Sequence, residues 1–208
     1  LTLSLFAALT SQAQTVEWSQ HISGKNELGR NNIALDDNGN IMFMATVHSE
    51  LAFGSEMYIN QFNSFNLWSQ ISSDGVVLTQ NAEDNYNYHQ MQAIVFDRDA
   101  GKFVFGGGGY FSAQNQDAYV RVIDEHAQQS FNSTFGKTGN HDITVDVAAA
   151  GNGVYYSLIA DYGNPGEAQL VKHNSAGTGQ WVTNFSSSGT IRLSAITVDE
   201  DGFLYVTG

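Results

Sequence analysis

Four times in this chain an alternating apolar run meets an Asp, then a turn with Gly, then a second apolar run. The copies are "NNIALDDNGNIMFMA" (31–45), "MQAIVFDRDAGKFVFGG" (91–107), "HDITVDVAAAGNGVYYSLI" (141–159) and "AITVDEDGFLYVTG" (195–208). Ile33 and Leu35, Ile94 and Phe96, Ile143 and Val145, and Ile196 and Val198 alternate as half-buried strands do. A lone hairpin cannot bury its apolar face, so a recurring hairpin must stack on its own copies. The anchoring aspartates Asp36, Asp97, Asp146 and Asp199 lie 61, 49 and 53 residues apart. That spacing suits four-stranded propeller blades of roughly 40 to 50 residues with loop insertions.

The intervening segments supply the other two strands of each unit. "FNLWSQISSDGVVL" (65–78), "AYVRVIDEHAQQSF" (118–131) and "AQLVKHNSAGTGQW" (168–181) each read as strand, polar turn, strand. Few positions suggest a long amphipathic helix. The expected fold is therefore all-β: a β-propeller of four-stranded antiparallel blades, with about three and a half blades and an incomplete ring. Asn38-Gly39 and Asp201-Gly202 tolerate positive φ and predict type I′ hairpin turns. Trp18 precedes Asp36 by the same 18 residues that separate Trp181 from Asp199, so "VEWSQHISG" (16–24) reads as the closing strand of a blade. The strands it would join are expected beyond Gly208, and the chain is expected to be part of a longer protein.

Charge narrows the partners. Asp and Glu total 21 against 8 Lys and Arg, for a formal net charge of −13. Nucleic acid needs a basic patch and is not an expected partner; an anionic membrane surface is disfavoured by the same field. With 21 Gly and 1 Pro the chain suits many tight turns, and with no Cys it has neither a disulfide framework nor thiolate metal ligands.

The opening "LTLSLFAALTSQAQ" is apolar and uncharged through Leu9. Ser11 and Ala13 fit the small-residue positions of a signal-peptidase site, with cleavage before Gln14. Residues 1–13 thus read as a signal peptide and 14–208 as the partial propeller, exported to the medium or the outer cell surface. The run is too short to span a bilayer. Neither an initiating Met nor a basic n-region precedes it, so the N-terminus reads as clipped. A buried N-terminal strand is the alternative.

The units resemble the SBBP class of bacterial β-propeller repeats: an apolar pair, Asp, a turn with Gly, then a "YVTG"-like strand. "AITVDEDGFLYVTG" and "IALDDNGNIMFMAT" fit well and "AIVFDRDAGKFVFGG" moderately, while "ITVDVAAAGNGVYYSLIA" has a longer turn. The resemblance covers about residues 15 to 208. It implies a propeller in an exported or surface protein of bacteria, of Bacteroidetes style, and it brings no catalytic residues with it.

Several motifs invite a site. The acidic turns at Asp36–Asn40, Asp97–Gly101, Asp199–Gly202 and Ser72–Gly75 suggest calcium, which wants six to eight oxygens with a bidentate carboxylate. They lack EF-hand spacing, since Ile41 stands where that loop needs Gly. Hairpin chemistry alone accounts for Asp, Asn and Gly there, leaving calcium as the secondary reading. "FGGGGYF" (105–111) follows a strand and lacks the Lys-Ser/Thr of a phosphate loop. Close strand packing near the propeller axis, or a flexible loop entry, accounts for it better. His21, His48, His89, His126, His141 and His173 form no HExxH or HxH, and no GxSxG elbow occurs. "NYNYHQMQ" (85–92) and "YINQFNSFNLW" (58–68) mix rings with amides, as carbohydrate sites do, but buried strand rings and an insertion loop explain them better.

No catalytic, cofactor or metal residue is therefore assigned. The expected role is a non-catalytic extracellular propeller module for interaction or scaffolding in a larger secreted or surface protein, with polysaccharide among its candidate ligands. The alternative is an exported propeller enzyme, a glycan hydrolase or lyase, with carboxylates or histidines gathered at the central channel.

Overall fold

The computed structural model describes residues 22–25, 28–53, 56–85, 90–112, 115–124, 129–135 and 141–208. Their fifteen strands form four antiparallel sheets, each strand pairing chiefly with its neighbour in sequence. The first sheet holds β1 (Ile22–Lys25), β2 (Leu28–Leu35), β3 (Ile41–Phe53), β4 (Glu56–Ile71) and β5 (Val77–Asn85). The second holds β6 (Gln90–Asp97), β7 (Lys102–Ser112), β8 (Asn115–Asp124) and β9 (Gln129–Phe135). The third holds β10 (Asp142–Ala149), β11 (Tyr155–Asp161), β12 (Glu167–His173) and β13 (Gly179–Ser186). β14 (Ala195–Val198) and β15 (Leu204–Thr207) pair as a final hairpin. The first strands of successive blades, β2, β6, β10 and β14, lie against one another along the axis. This is an incomplete propeller, as the repeat predicts.

Strand alternation gives each blade two apolar faces. In the first blade Met42, Met44 and Trp68 point toward the second, where they meet Phe103, Phe105 and Ile123. Val104, Val120 and Val122 of the second blade meet Val147 and Tyr155 of the third. Ala148, Tyr156, Leu158 and Leu170 of the third meet Ile196, Val198, Leu204 and Val206 of the last hairpin. Burying these side chains contributes about 1.5–3 kcal/mol each and is the main force holding blade to blade.

The turns recur more strictly than the sequence suggests. Asp36, Ser72, Asn174 and Asp199 each begin a five-residue turn with Gly in fourth place: Gly39, Gly75, Gly177 and Gly202. In each, the fourth amide bonds to the first carbonyl and the first amide to the fifth carbonyl. Only the glycine of these turns has positive φ, +75° at Gly39 and +83° at Gly202. These are type I turns with a G1 bulge and three loop residues, not the type I′ turns expected at Asn38-Gly39 and Asp201-Gly202, because I′ needs positive φ at both central positions.

The anchor of the third repeat is also corrected. β10 runs past Asp146 to Ala149, and Ala150 holds the position of Asp36: its amide bonds to the Val154 carbonyl at 2.9 Å, as Asp36 bonds to Asn40 at 3.0 Å. The anchors are therefore 36, 97, 150 and 199. Asp146 sits beside a β-bulge between Thr144 and Asp146. The turn that follows holds three left-handed residues in a row, Gly151, Asn152 and Gly153.

The expected closing strand around Trp18 and the signal segment 1–13 lie outside the described residues. What is described of that strand, from Ile22, belongs to β1, which pairs with Glu50–Phe53 of β3 in the first sheet.

Candidate functional site

An open cleft of about 350 Å³ lies on the axis, lined by Asn32, Gln92, Ala93, Ile94, Val145, Asp146 and Ser194. Every lining residue comes from an innermost strand or its lead-in. Asn32, Gln92, Asp146 and Ser194 each stand four or five residues ahead of their repeat's turn anchor. The register aligns Asn32 with Asp146 and Gln92 with Ser194, so two neighbouring positions of the repeat line the cleft with polar side chains.

The polar groups are held in place. Asn32 Nδ2 donates to the Gln92 carbonyl at 2.7 Å, tying the first blade to the second. Asp146 Oδ1 accepts from the Val147 amide at 2.9 Å, and Oδ2 accepts from the Ile196 amide at 2.8 Å. Burial pushes the Asp146 carboxyl above its usual value, against the two amide hydrogen bonds. Ser194 Oγ donates to the Thr207 carbonyl at 3.2 Å. Gln92 Nε2 bonds only to Gln90 Oε1 at 3.3 Å on the surface. The wall is one of amides, one hydroxyl and one carboxylate, between the apolar Ala93, Ile94 and Val145.

The turns at Asp36, Ser72 and Asp199 use their oxygens within their own blades. Asp36 Oδ1 accepts from the Asn38 and Asn40 amides at 2.9 and 2.8 Å, and Oδ2 accepts from Asn40 Nδ2 at 2.9 Å. Asp199 Oδ1 accepts from the Asp201 and Phe203 amides at 3.1 and 2.8 Å, and Oδ2 accepts from the Tyr205 hydroxyl at 2.9 Å. Ser72 Oγ accepts from Val76 at 3.1 Å. Such Asx and Ser turns stabilise the hairpin locally. Among the described residues no three His, Asp or Glu side chains gather.

The glycine run lies in β7 where β10 crosses it. A methyl on Gly106 would stand 2.5 Å from Thr144 Cγ2 and 2.7 Å from Val147 Cγ1, and one on Gly108 would stand 2.8 Å from Ile143 Cγ1. Glycine is there so that two blades can approach closely, the first of the two readings offered by sequence.

Among the described residues the histidines do not converge. His173 is wholly buried, with Nε2 2.7 Å from Ser157 Oγ and its ring edge-on to Phe135 at 4.6 Å. Burial drives its pKa down to about 4. A Ser–His pair without access is core structure, not a nucleophile. His141 is exposed, bridging to Gln116. His21, His89 and His126 lie outside the described residues, and for His48 only the strand backbone is described. Of the ring-and-amide segments, 86–89 lie outside the described residues, while 58–68 forms part of β4.

The axial position was missed in the sequence because its four residues share no identity.

No protein-family model matches the chain, and no curated protein matches its sequence. Among solved structures it is similar to a neuraminidase-like protein from A/bat/Guatemala/164/2009, with a TM-score of 0.51 and 10% identity. The match covers 89% of this chain and 48% of that one, so the chain spans about half the length of that propeller. At this identity the likeness establishes the fold alone: an all-β, incomplete β-propeller.

Proposed function

We propose that this chain is an exported, non-catalytic β-propeller module of the SBBP type that binds a neutral, hydroxyl-rich ligand such as polysaccharide at its axial cleft. One observation carries the reading: two neighbouring positions of the repeat place Asn32, Gln92, Asp146 and Ser194 around one cleft. Amides, a hydroxyl and a carboxylate are the donors and acceptors that sugar hydroxyls pair with, and they are few and convergent, as in binding sites. Hydrolysis of a glycosidic bond normally uses two carboxyl groups flanking it. The described lining of this cleft has one, Asp146, already engaged by two amides. A net charge of −13 favours uncharged or cationic ligands over polyanions. The apolar opening segment with Ser11 and Ala13 supports export to the cell surface or medium.

The test is a neutral-glycan array with the purified protein, followed by titration of any hit against Gln92→Leu. Binding that weakens at least tenfold in the variant supports the reading. Glycan cleavage in the same sample, or hits unaffected by the variant, overturns it.

A further inference from the structure

We propose that Asn38–Gly39 is a site of spontaneous deamidation in the folded protein, and that Asp97 shields the other Asn-Gly pair of the sequence, Asn152–Gly153, from the same reaction. Only these two asparagines are followed by Gly. Glycine matters because no Cβ obstructs its nitrogen as that nitrogen approaches the neighbouring side chain. The two pairs are matched in local chemistry, and their surroundings differ.

The reaction is a ring closure. Hydroxide removes the glycine N–H proton, and the nitrogen attacks the asparagine Cγ. A Cγ–N bond forms, the Cγ–Nδ2 bond breaks, and Nδ2 leaves as ammonia with its third proton from water. Water then adds to either carbonyl of the succinimide. Opening one way gives Asp; opening the other gives isoaspartate, with the main chain running through the former side chain. Two conditions govern the rate. The glycine amide must be able to lose its proton, and the chain must rotate between the two residues to bring nitrogen onto Cγ.

Asn38–Gly39 meets both. The pair is exposed in the short loop between β2 and β3. The Gly39 amide donates to a neutral acceptor, the Asp36 carbonyl, at 3.2 Å. Turning it away exchanges one long hydrogen bond for water. A methyl on Gly39 would meet nothing nearer than Ser73 Cβ at 3.8 Å, so the loop has space to turn. Of the carboxylates beside it, Asp36 is engaged by the Asn38 and Asn40 amides, and Asp37 lies 3.5 Å from Arg98 Nε.

Asn152–Gly153 meets neither. Asn152 is exposed, but Gly153 is buried and its amide donates to Asp97 Oδ2 at 3.0 Å. Deprotonating that nitrogen would set two negative charges in contact away from water. Asp99 brings a second carboxylate, lying against Gly151 where a methyl would not fit. Rotation is opposed as well. Gly151, Asn152 and Gly153 stand at φ +81°, +54° and +75°, and turning the Gly153 amide would strand a buried carboxylate oxygen. A methyl on Gly153 would stand 2.6 Å from Ser175 Cβ, so the loop has no space to swing.

The product matters to the first blade. Isoaspartate adds a carbon to the main chain of the loop and draws the Asn38 and Asn40 amides off Asp36 Oδ1. Either product adds one negative charge to a chain already at −13.

The test holds the purified, folded chain in mildly alkaline buffer and follows both sites by peptide mapping, with isoaspartate read by enzymatic methylation. Conversion at Asn38 is expected to run at least tenfold faster than at Asn152. In concentrated urea the two rates should converge. Asp97→Ala should speed Asn152 at least tenfold and leave Asn38 unchanged; Asp97→Asn, which keeps an acceptor oxygen without the charge, serves if the alanine variant misfolds. Equal rates in the folded chain, a faster Asn152, or an Asn38 that stays intact while both sites convert in urea overturns the inference. So does a folded Asp97 variant in which Asn152 reacts as slowly as before.

Discussion

The Asp97 carboxylate in the second blade accepts a hydrogen bond from the Gly153 amide in the third at 3.0 Å. Its other oxygen accepts from Ala100 at 3.2 Å within its own turn. Asp36 and Asp199, at the same place in their repeats, accept hydrogen bonds from their own blades. One buried side chain therefore both shapes a turn and latches the next blade.

Asp97→Ala strips a buried acceptor from two amides. Leaving such donors unpaired costs about 1–3 kcal/mol, so a loss of roughly 2 kcal/mol is expected from urea unfolding. Asp36→Ala breaks bonds within its own blade, to the turn and to Gln70 on β4, and leaves the contact between blades intact, so it should cost less. Equal losses for the two would contradict the latch.

Gly106→Ala tests close approach between blades. The added methyl meets Thr144 Cγ2 and Val147 Cγ1 well inside contact distance, and overpacking of this kind costs about 1–3 kcal/mol. Adding Thr144→Ser removes the offending methyl yet keeps the hydroxyl bonded to the Tyr119 carbonyl, so part of the loss should return. Gly202→Ala, with open space around it, should cost only the left-handed strain at φ +83°, about 1–2 kcal/mol, with no such rescue.

His173 gives the fold a pH dependence. Its folded pKa is about 4 because it is buried neutral, while the unfolded chain titrates near 6.5. Between these values the unfolded state binds more protons, so stability falls as pH drops from about 6.5 toward 4. The loss is on the order of 3 kcal/mol at the low end. His173→Gln, which can still bond to Ser157, should flatten this slope in thermal melts at pH 4 to 7. An unchanged slope would assign the effect to other groups.

Much of the fold was legible because alternation is a local signal. Ile33, Leu35, Ile94 and Phe96 state their strand faces without tertiary help. Asp146 misled because alanines extend β10 beyond it and a bulge shifts the register there. The turn type was misread because Asn-Gly suits two geometries, and the three-residue loop length decides between them, not the dipeptide. The cleft was illegible for a different reason. Asn32, Gln92, Asp146 and Ser194 are unlike one another and distant in sequence, and only the stacking of inner strands brings them together.

The turns and the long hairpin of the first blade lie at opposite ends of the sheets. β3 and β4 run to 13 and 16 residues, whereas β11 and β12 have 7 each. At one end every five-residue turn spends its side chains on its own amides and has no slack for an insertion. At the other, extra length is already accommodated, beside the lead-in to the inner strands where the cleft opens. New specificity would be acquired at that second end, by lengthening hairpins, while the opposite rim stays unchanged as the jig that keeps successive blades in register.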